Sequence, residues 1–256
     1  MTFAGSNANA FAKLQEAKLN PTGRRYYFNA GTRPGPIPRH WPVIAGNPAR
    51  ACVSIRPSLE EVIKGHLDGA LTSFMRQAPR GPVSLLGLWH EASYLNYPGI
   101  TGEQLRKAQK HIQKLSHDIG ANVKVGAIEI VDIAHPGVWM APGLDFYACD
   151  IFDNKTCDGK PYQMLDRFKA KCEKLNAAHG FGPATICVAE TNSRCRARRP
   201  FWFQSVWSWL QTHGFTSDRS CFLTYWRDKG PDSGAWDPGD EAVIRTLRTI
   251  FEKSSP

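Results

Sequence analysis

Short apolar runs alternate along the chain with segments whose apolar positions recur at helical spacing. The runs predict eight strands, at Met1–Ser6, Arg24–Ala30, Ala51–Arg56, Val83–Glu91, Val123–Val131, Phe146–Phe152, Thr185–Glu190 and Cys221–Trp226. Helices are predicted between most of them, at 11–19, 58–75, 105–119, 162–179, 201–213 and 240–253. The connection after Val131 contains proline and glycine and has no long helical pattern.

The repeated order of strand and helix predicts a parallel α/β fold. Eight repeats favour a closed (β/α)8 TIM barrel over an open doubly wound sheet. An open sheet would normally carry a glycine-rich phosphate loop after its first strand, and this sequence has none. The 256 residues suit a barrel, which typically has about 250. Because no linker or change of composition divides the chain, we expect a single domain over residues 1–256.

Two of the predicted strands end in a glutamate. The fourth strand ends at Glu91 and the seventh at Glu190. The carboxyl ends of parallel barrel strands form the mouth where active sites lie, and strict alternation along each strand turns both side chains into it. Two carboxyl groups about 5–5.5 Å apart are the working pair of a retaining glycosidase. One such glutamate is more simply a surface loop residue, but two at matching strand ends favour a catalytic pair.

The two glutamates and their neighbours resemble clan A of the glycoside hydrolases, whose hallmark is a glutamate on strands 4 and 7. Trp89-His90-Glu91 is similar to the W-H-E motif of family 26, which includes β-mannanases and related β-glucanases and xylanases. The stretch 142–153 is similar to that family's strand 6 pattern, in which a V-D run leads to D-x-Y. The resemblance implies a TIM-barrel enzyme that hydrolyses a β-linked polysaccharide or oligosaccharide by the retaining mechanism. Endo action and no cofactor are expected.

The same resemblance implies roles for individual residues. Glu91 is expected to be the acid/base, Glu190 the nucleophile, and His90 a contact to the sugar in the −1 subsite. Trp226, which ends the last predicted strand, matches the aromatic platform on which that sugar stacks.

The sequence departs from the family pattern at three places. Gly87 stands where the family usually has an arginine, and Phe152 stands where a tyrosine commonly binds the nucleophile. The residues after the acid are Ala92-Ser93-Tyr94 rather than Met-Asn-Gly. These departures weaken the expectation of mannan specificity. They leave a catalytically weakened carbohydrate-binding barrel as the alternative function, and a basic surface-binding protein with incidental glutamates as a third.

Other side chains are expected near the mouth. Arg56, at the end of the third strand, either replaces the missing arginine or anchors loop carbonyls. Trp89 and Trp41 are candidate aromatic contacts to substrate, Trp41 from the long loop after the second strand. Asp153 could touch a substrate hydroxyl, whereas Asp150 is expected to be structural.

The charge balance limits the choice of partners. The net charge is +9, and four arginines follow Glu190 at positions 194, 196, 198 and 199. Such a run is usually a solvated face, although it could attract an acidic sugar. No nucleic-acid-binding motif accompanies the charge, and no apolar stretch reaches the about 18 residues of a membrane span. We therefore expect a carbohydrate substrate, no nucleic-acid or membrane partner, and a monomer.

The seven cysteines cannot all pair within one chain. Cys157 and Cys195 lie in predicted loops and could form a disulfide if the protein is exported. No Cys/His spacing typical of zinc occurs, so no metal site is expected. The chain begins without a secretory signal, which favours a cytoplasmic protein unless a leader has been removed.

Overall fold

The computed structural model describes residues 2–5, 23–28, 32–44, 47–48, 50–81, 83–153, 156–193, 195–215, 222–225 and 241–254. The predicted helix at 11–19 and the expected platform Trp226 lie outside these residues.

Eight parallel strands close into a barrel, which confirms the predicted (β/α)8 fold. They are β1 (Thr2–Gly5), β2 (Gly23–Tyr27), β3 (Ala51–Ile55), β4 (Ser84–Leu88), β5 (Val123–Ile130), β6 (Phe146–Phe152), β7 (Ile186–Asn192) and β8 (Phe222–Tyr225). Each strand pairs with its neighbours in the chain, and β8 closes on β1 with Thr2 opposite Phe222. A short antiparallel ribbon, Val43–Ile44 with Asn47–Pro48, lies in the long loop after β2.

Eight helices are described between and after the strands. They are α1 (Leu59–Ile63), α2 (Asp68–Met75), α3 (Ala92–Leu95), α4 (Gly102–Asp118), α5 (Pro136–Trp139), α6 (Pro161–Ala177), α7 (Arg199–Thr212) and α8 (Glu241–Ser254), with a 3-10 turn at Arg196–Arg198 before α7. Among the described helices none is long and apolar enough to cross a bilayer.

Local sequence signals decide where several helices begin and end. The Ser58 hydroxyl accepts from the Glu61 N–H and starts α1, and Thr101 forms a full capping box with Gln104 at the start of α4. The single helix predicted over 58–75 is instead two, because the chain turns at Gly65, which has φ +76°. That backbone conformation ends a helix and favours glycine.

The barrel is held by apolar contacts between the strands and the surrounding helices. Three tryptophans of α7, Trp202, Trp207 and Trp209, are fully buried in this layer. The Trp202 indole N–H donates to the Thr191 hydroxyl at 2.9 Å, so its polar edge is satisfied inside the core. This packing fixes β7, the strand that carries Glu190.

Two strand ends differ from the prediction where the site lies. β4 ends at Leu88, three residues before Glu91, and β7 continues two residues beyond Glu190 to Asn192. Strict alternation therefore does not place either glutamate. A turn places Glu91, and an irregularity in strand pairing places Glu190.

Candidate active site

Glu91 lies in a tight turn at the carboxyl end of β4. Trp89 and Glu91 both have left-handed backbone, with φ 47° and 54°. Non-glycine residues seldom adopt this conformation, and it persists only when the surrounding structure holds it. The Glu91 N–H donates to the Ile128 carbonyl of β5 at 2.8 Å, and the Glu91 carbonyl accepts from the N–H groups of Tyr94 and Leu95. The turn reverses the chain and directs the glutamate back towards the barrel.

Glu190 lies within β7, next to a bulge. Cys149 of β6 pairs with Val188, but the next residue, Asp150, pairs with Glu190, so β7 has one additional residue, Ala189. A bulge of this kind redirects the side chains that follow it. The Glu190 side chain is almost completely buried.

Arg25 on β2 is the cationic group at the centre of the barrel. Its Nε lies 4.0 Å from Glu190 Oε1, although β1 and β8 separate their strands, so this contact crosses the barrel interior. The guanidinium also donates to Ser54 Oγ at 2.7 Å and to the Cys52 carbonyl at 3.2 Å, and it stacks 4.3 Å from the Tyr27 ring. The sequence analysis missed Arg25.

Asp150 and Glu91 form a pair of carboxyl groups within hydrogen-bonding distance of each other. Asp150 is buried, and within the described part of the chain neither of its oxygens accepts a hydrogen bond from an N–H or hydroxyl group. Two carboxylates in such contact repel, whereas one proton between them makes a hydrogen bond. The geometry therefore favours one shared proton. Asp150, which was expected to be structural, thus lies against the candidate acid.

Burial dominates the acid–base properties of the site. Burial raises the pKa of Glu190 to about 8, and the nearby Arg25 guanidinium opposes that rise. Burial also raises the pKa of Glu91, while hydrogen bonding to Asp150 and the charges of Arg25 and Arg56 oppose it. The pKa of Asp150 lies well above its ordinary value because of burial and the charge of Glu91. Since Arg25 acts on all three, the carboxyl groups share one electrostatic environment.

His90 is placed beside Glu91 with its imidazole between Arg56 and Tyr27. His90 Nε2 lies 3.5 Å from Arg56 Nη2, and its ring centre lies 5.0 Å from that of Tyr27. Burial, with the charges of Arg25 and Arg56, holds the pKa of His90 well below its ordinary value, so the ring is neutral. A neutral imidazole can donate or accept a hydrogen bond, which suits contact with a sugar hydroxyl.

Arg56 occupies the end of β3 and is buried against aromatic rings. Its guanidinium carbon lies 4.5 Å from the Tyr97 ring centre and 6.0 Å from that of Trp89. A Cβ at position 87 would lie 2.7 Å from Ile128 Cδ1, so a side chain there would require Ile128 to shift. Gly87 therefore accommodates the packing of β5, and the arginines of the site come from β2 and β3.

Two tryptophans expected at the substrate are core residues instead. Trp89 is fully buried, and its indole N–H donates to the Pro57 carbonyl at 2.9 Å. Trp41 is 2% exposed and packs 4.8 Å from the Phe74 ring centre. Both predictions were wrong because apolar packing beneath the loops takes these side chains away from the mouth.

Asp153 does not face a substrate. Its side chain is fully buried and accepts from the Ser193 hydroxyl at 2.8 Å, from the Gly159 N–H at 3.0 Å and from Arg198 at 3.2 Å. It joins the loop after β6 to the loop after β7, which corrects the expectation of a substrate contact. The predicted disulfide between Cys157 and Cys195 links the same two loops, with Cα atoms 5.8 Å apart.

The arginines after Glu190 are neither a solvated face nor a receptor for an acidic sugar where the structure describes their side chains. Arg199 is fully buried and donates to the Ser193 carbonyl at 2.8 Å. Arg198 donates to the Gly159 carbonyl at 2.9 Å and binds Asp153. Residue 194 lies outside the described residues.

Phe152 is half-buried and lines a pocket at the start of α6 together with Lys160, Met164 and Arg167. Among the described residues, the lining of this pocket includes neither Glu91 nor Glu190. The expectation that Phe152 stands beside the nucleophile stays a prediction. Arg25 is the group that lies against Glu190.

Metal coordination has no candidate in the described residues, where no group of three or more His, Cys, Asp or Glu side chains is arranged to hold an ion. The chemistry available to the site is that of three buried carboxyl groups, a neutral imidazole and two guanidinium groups.

No protein-family model matches the sequence, and no curated protein matches it. Solved structures do share its fold. A family 128 (subgroup I) endo-β-1,3-glucanase variant from Amycolatopsis mediterranei, in complex with laminaripentaose, is 13% identical and matches with TM-score 0.53 over 100% of each chain. A family 39 glycoside hydrolase from Bacteroides cellulosilyticus is 10% identical, with TM-score 0.56 over 98% of this chain and 63% of the other.

A β-glucuronidase from an uncultured Clostridium species is 9% identical and matches with TM-score 0.58 over 99% of this chain and 50% of that one. The barrel is therefore one that glycoside hydrolases of several families use. At these identities the likeness shows the fold alone, and the assignment to family 26 stays a prediction.

Proposed function

We propose that the protein is a retaining glycoside hydrolase that cleaves a β-linked polysaccharide or oligosaccharide, with Glu91 as acid/base and Glu190 as nucleophile. The observation that carries the proposal is the convergence of both carboxyl groups on the Arg25 guanidinium at the carboxyl ends of β4 and β7. Active sites of TIM barrels are built at this end.

The first half of the reaction uses the two glutamates on opposite sides of one bond. A Glu190 oxygen attacks the anomeric carbon, the bond to the leaving oxygen breaks, and the Glu91 proton passes to that oxygen. Burial and the shared proton with Asp150 keep Glu91 able to donate. Arg25 stabilises the ionised form of Glu190 that attacks.

The second half releases the sugar from Glu190. Glu91, now ionised, removes a proton from water, and the resulting oxygen attacks the anomeric carbon and breaks the ester to Glu190. The neutral His90 beside Glu91 contacts a hydroxyl of the sugar in the −1 subsite. Every proton and electron pair is supplied by the protein, the sugar or water, so no cofactor enters the reaction.

The substrate class follows from the fold matches as a proposal. The family 128 match is an endo-β-1,3-glucanase in complex with laminaripentaose. We therefore place β-glucans first among the β-linked polysaccharides, with cleavage inside the chain. A monomer formed by one domain over residues 1–256, without nucleic-acid or membrane partner, is part of the same proposal.

A weakened carbohydrate-binding barrel is the second candidate, and one observation favours it. Since burial raises the pKa of Glu190 to about 8, most of this carboxyl group is protonated at neutral pH and cannot attack. A site of this kind would still bind oligosaccharides through His90, Arg56 and the carboxyl groups.

A hydrolysis screen tests the proposal. Laminarin, mixed-linkage glucan, mannan, xylan and anionic polysaccharides are incubated with the wild type, Glu190→Ala and Glu91→Ala between neutral and alkaline pH. We expect the wild type to release reducing ends from at least one of them and Glu190→Ala to lose the activity by several orders of magnitude. Equal turnover by all three proteins would show that Glu91 and Glu190 are not the catalytic pair. If oligosaccharides raise the Tm but are not hydrolysed, the protein is the binding barrel. If no glycan is hydrolysed and no oligosaccharide raises the Tm, both candidate functions are rejected.

A further inference from the structure

Helix α3 begins at Glu91, but the Glu91 side chain does not cap it. The first N–H groups of any helix have no acceptor within the helix. An N-cap side chain usually accepts one of them, yet Glu91 has left-handed backbone, φ 54° and ψ 33°, and makes no capping hydrogen bond. Its carboxyl group is instead directed to Asp150.

Glu129 of the neighbouring strand β5 takes over this capping. Its Oε2 accepts from the Ser93 N–H at 3.2 Å and from the Ser93 hydroxyl at 2.6 Å. Glu129 is 2% exposed. Burial raises the pKa of Glu129 to about 7, and its hydrogen bonds to Ser93 oppose that rise. When ionised, the group also stabilises the positive end of the helix dipole.

We propose that Glu129 and Ser93 position the acid Glu91 by capping α3 from outside, which frees the Glu91 carboxyl group for the mouth of the barrel. The role of Glu91 as an acid rests on the proposed function, whereas the capping of α3 by Glu129 does not depend on it. Glu129 is a positioning residue, because it acts on Glu91 through α3.

The anchoring of the turn by β5 supports this reading. The Glu91 N–H is held by the Ile128 carbonyl, one residue before Glu129, so two consecutive residues of β5 hold the backbone on both sides of the acid. A non-glycine residue with left-handed backbone is strained and needs such contacts to persist. The inference also explains the departure at Ala92-Ser93-Tyr94, because Ser93 contributes two of the donors that Glu129 accepts.

Four variants of the whole chain test the proposal. Glu129→Leu removes the acceptor, Glu129→Gln keeps one carbonyl oxygen as acceptor, and Ser93→Ala removes only the hydroxyl. Thr101→Ala is the matched control, because it removes an N-cap from α4, which does not carry the acid.

Two measurements are made on each variant. Hydrogen exchange follows the amide of Ser93, and hydrolysis compares aryl glycosides with good and poor leaving groups. We expect Glu129→Leu to expose this amide and to slow poor leaving groups about tenfold or more, while good leaving groups, which need little protonation, change far less. Glu129→Gln restores most of both properties, Ser93→Ala is intermediate, and Thr101→Ala lowers the Tm without changing the leaving-group dependence.

The two proposals fail in different ways. Unchanged exchange at Ser93 in Glu129→Leu overturns the capping, and an equal loss for good and poor leaving groups overturns the positioning of the acid. If the wild type hydrolyses no glycoside, the proposed function fails and the exchange measurement still decides the capping. If Glu129→Leu does not fold, Ser93→Ala carries the same comparison, with Glu129→Gln as the conservative reference.

Discussion

Charged side chains inside the strands of the barrel set the chemistry of the site at the scale of single residues. Arg25, Asp150 and Glu190 are all buried within strands, Asp150 between the buried apolar residues Cys149 and Ile151. A buried charge costs free energy unless other groups compensate for it, and perturbed carboxyl groups of this kind concentrate at functional sites.

The raised pKa of Glu190 predicts a stability that depends on pH. The folded protein binds this proton more tightly than the unfolded chain, so stability is fully present below the ordinary pKa of about 4.5 and falls as pH rises to about 8. Glu190→Gln has no proton to lose. Its Tm relative to the wild type should increase from pH 5 to pH 8, corresponding to about 1.4 kcal/mol per pH unit at most.

Calorimetry at several pH values measures this difference. The exposed Glu103, which pairs with Lys107, provides the control Glu103→Gln, and that variant should show no comparable rise. A constant difference between Glu190→Gln and the wild type would mean that Glu190 is ionised throughout this pH range.

The pairing of Asp150 with Glu91 predicts a change in the pH–rate profile. In the wild type, burial and the charge of Glu91 raise the pKa of Asp150 well above its ordinary value, so we expect the pair to keep a proton up to raised pH. Asp150→Asn leaves Glu91 to titrate alone, while the amide donates to the ionised carboxylate and stabilises it. The fall of kcat/KM on the alkaline side should therefore begin at lower pH than in the wild type. If kcat/KM is lower at every pH but its alkaline fall begins at the same pH as in the wild type, Asp150 has only a structural role.

Sequence patterns found part of this site. Glu91, Glu190 and His90 lie at or near the ends of parallel strands, and strand ends can be located from the apolar runs in the sequence. Arg25, Asp150 and Glu129 lie within strands, where periodicity predicts only burial. Their signal was a charged residue at a buried strand position, and its meaning depends on partners from strands distant in the chain.

At the scale of elements, the loops after β6 and β7 are joined by buried polar contacts rather than presented to a ligand. Asp153 binds Ser193 and Arg198, and the disulfide joins Cys157 to Cys195. Because Glu190 lies three residues before Ser193, this joint limits the motion of the strand end that carries the candidate nucleophile.

Asp153→Ala should therefore destabilise the fold strongly. The change leaves buried donors without their acceptor, and breaking a buried ion pair costs about 3–5 kcal/mol. Asp132→Ala is the matched control, because Asp132 pairs with Arg167 at the surface, where such pairs are worth about 0–1 kcal/mol. Urea denaturation measures both. If Asp153→Ala lost oligosaccharide affinity but kept its stability, Asp153 would be a substrate contact after all.

Elements were predicted best where the pattern is long or capped. Helix α4 covers most of the predicted 105–119 and begins three residues earlier, and β6 has the predicted bounds. The turn at Trp89–Glu91 and the bulge at Ala189 were not predicted, because both depend on backbone contacts between neighbouring strands. These two irregularities place the two glutamates.

At the scale of the whole molecule, the closed barrel brings together side chains from β2, the end of β4, β6 and β7. The eightfold repeat of strand and helix is sufficient to predict this architecture. It does not predict which interior positions carry charge, and the fold is shared by enzymes with different substrates.

Trapping the glycosyl-enzyme intermediate tests the central claim most directly. A panel of 2-deoxy-2-fluoro β-glycosides with good leaving groups, of gluco, manno and xylo configuration, is incubated with the wild type and Glu190→Gln at mildly alkaline pH, and the labelled peptide is identified by mass spectrometry. We expect one sugar to attach to Glu190 of the wild type and no adduct in Glu190→Gln. An adduct on another residue, or hydrolysis of a β-glycan without any adduct from its matching glycoside, would contradict the account.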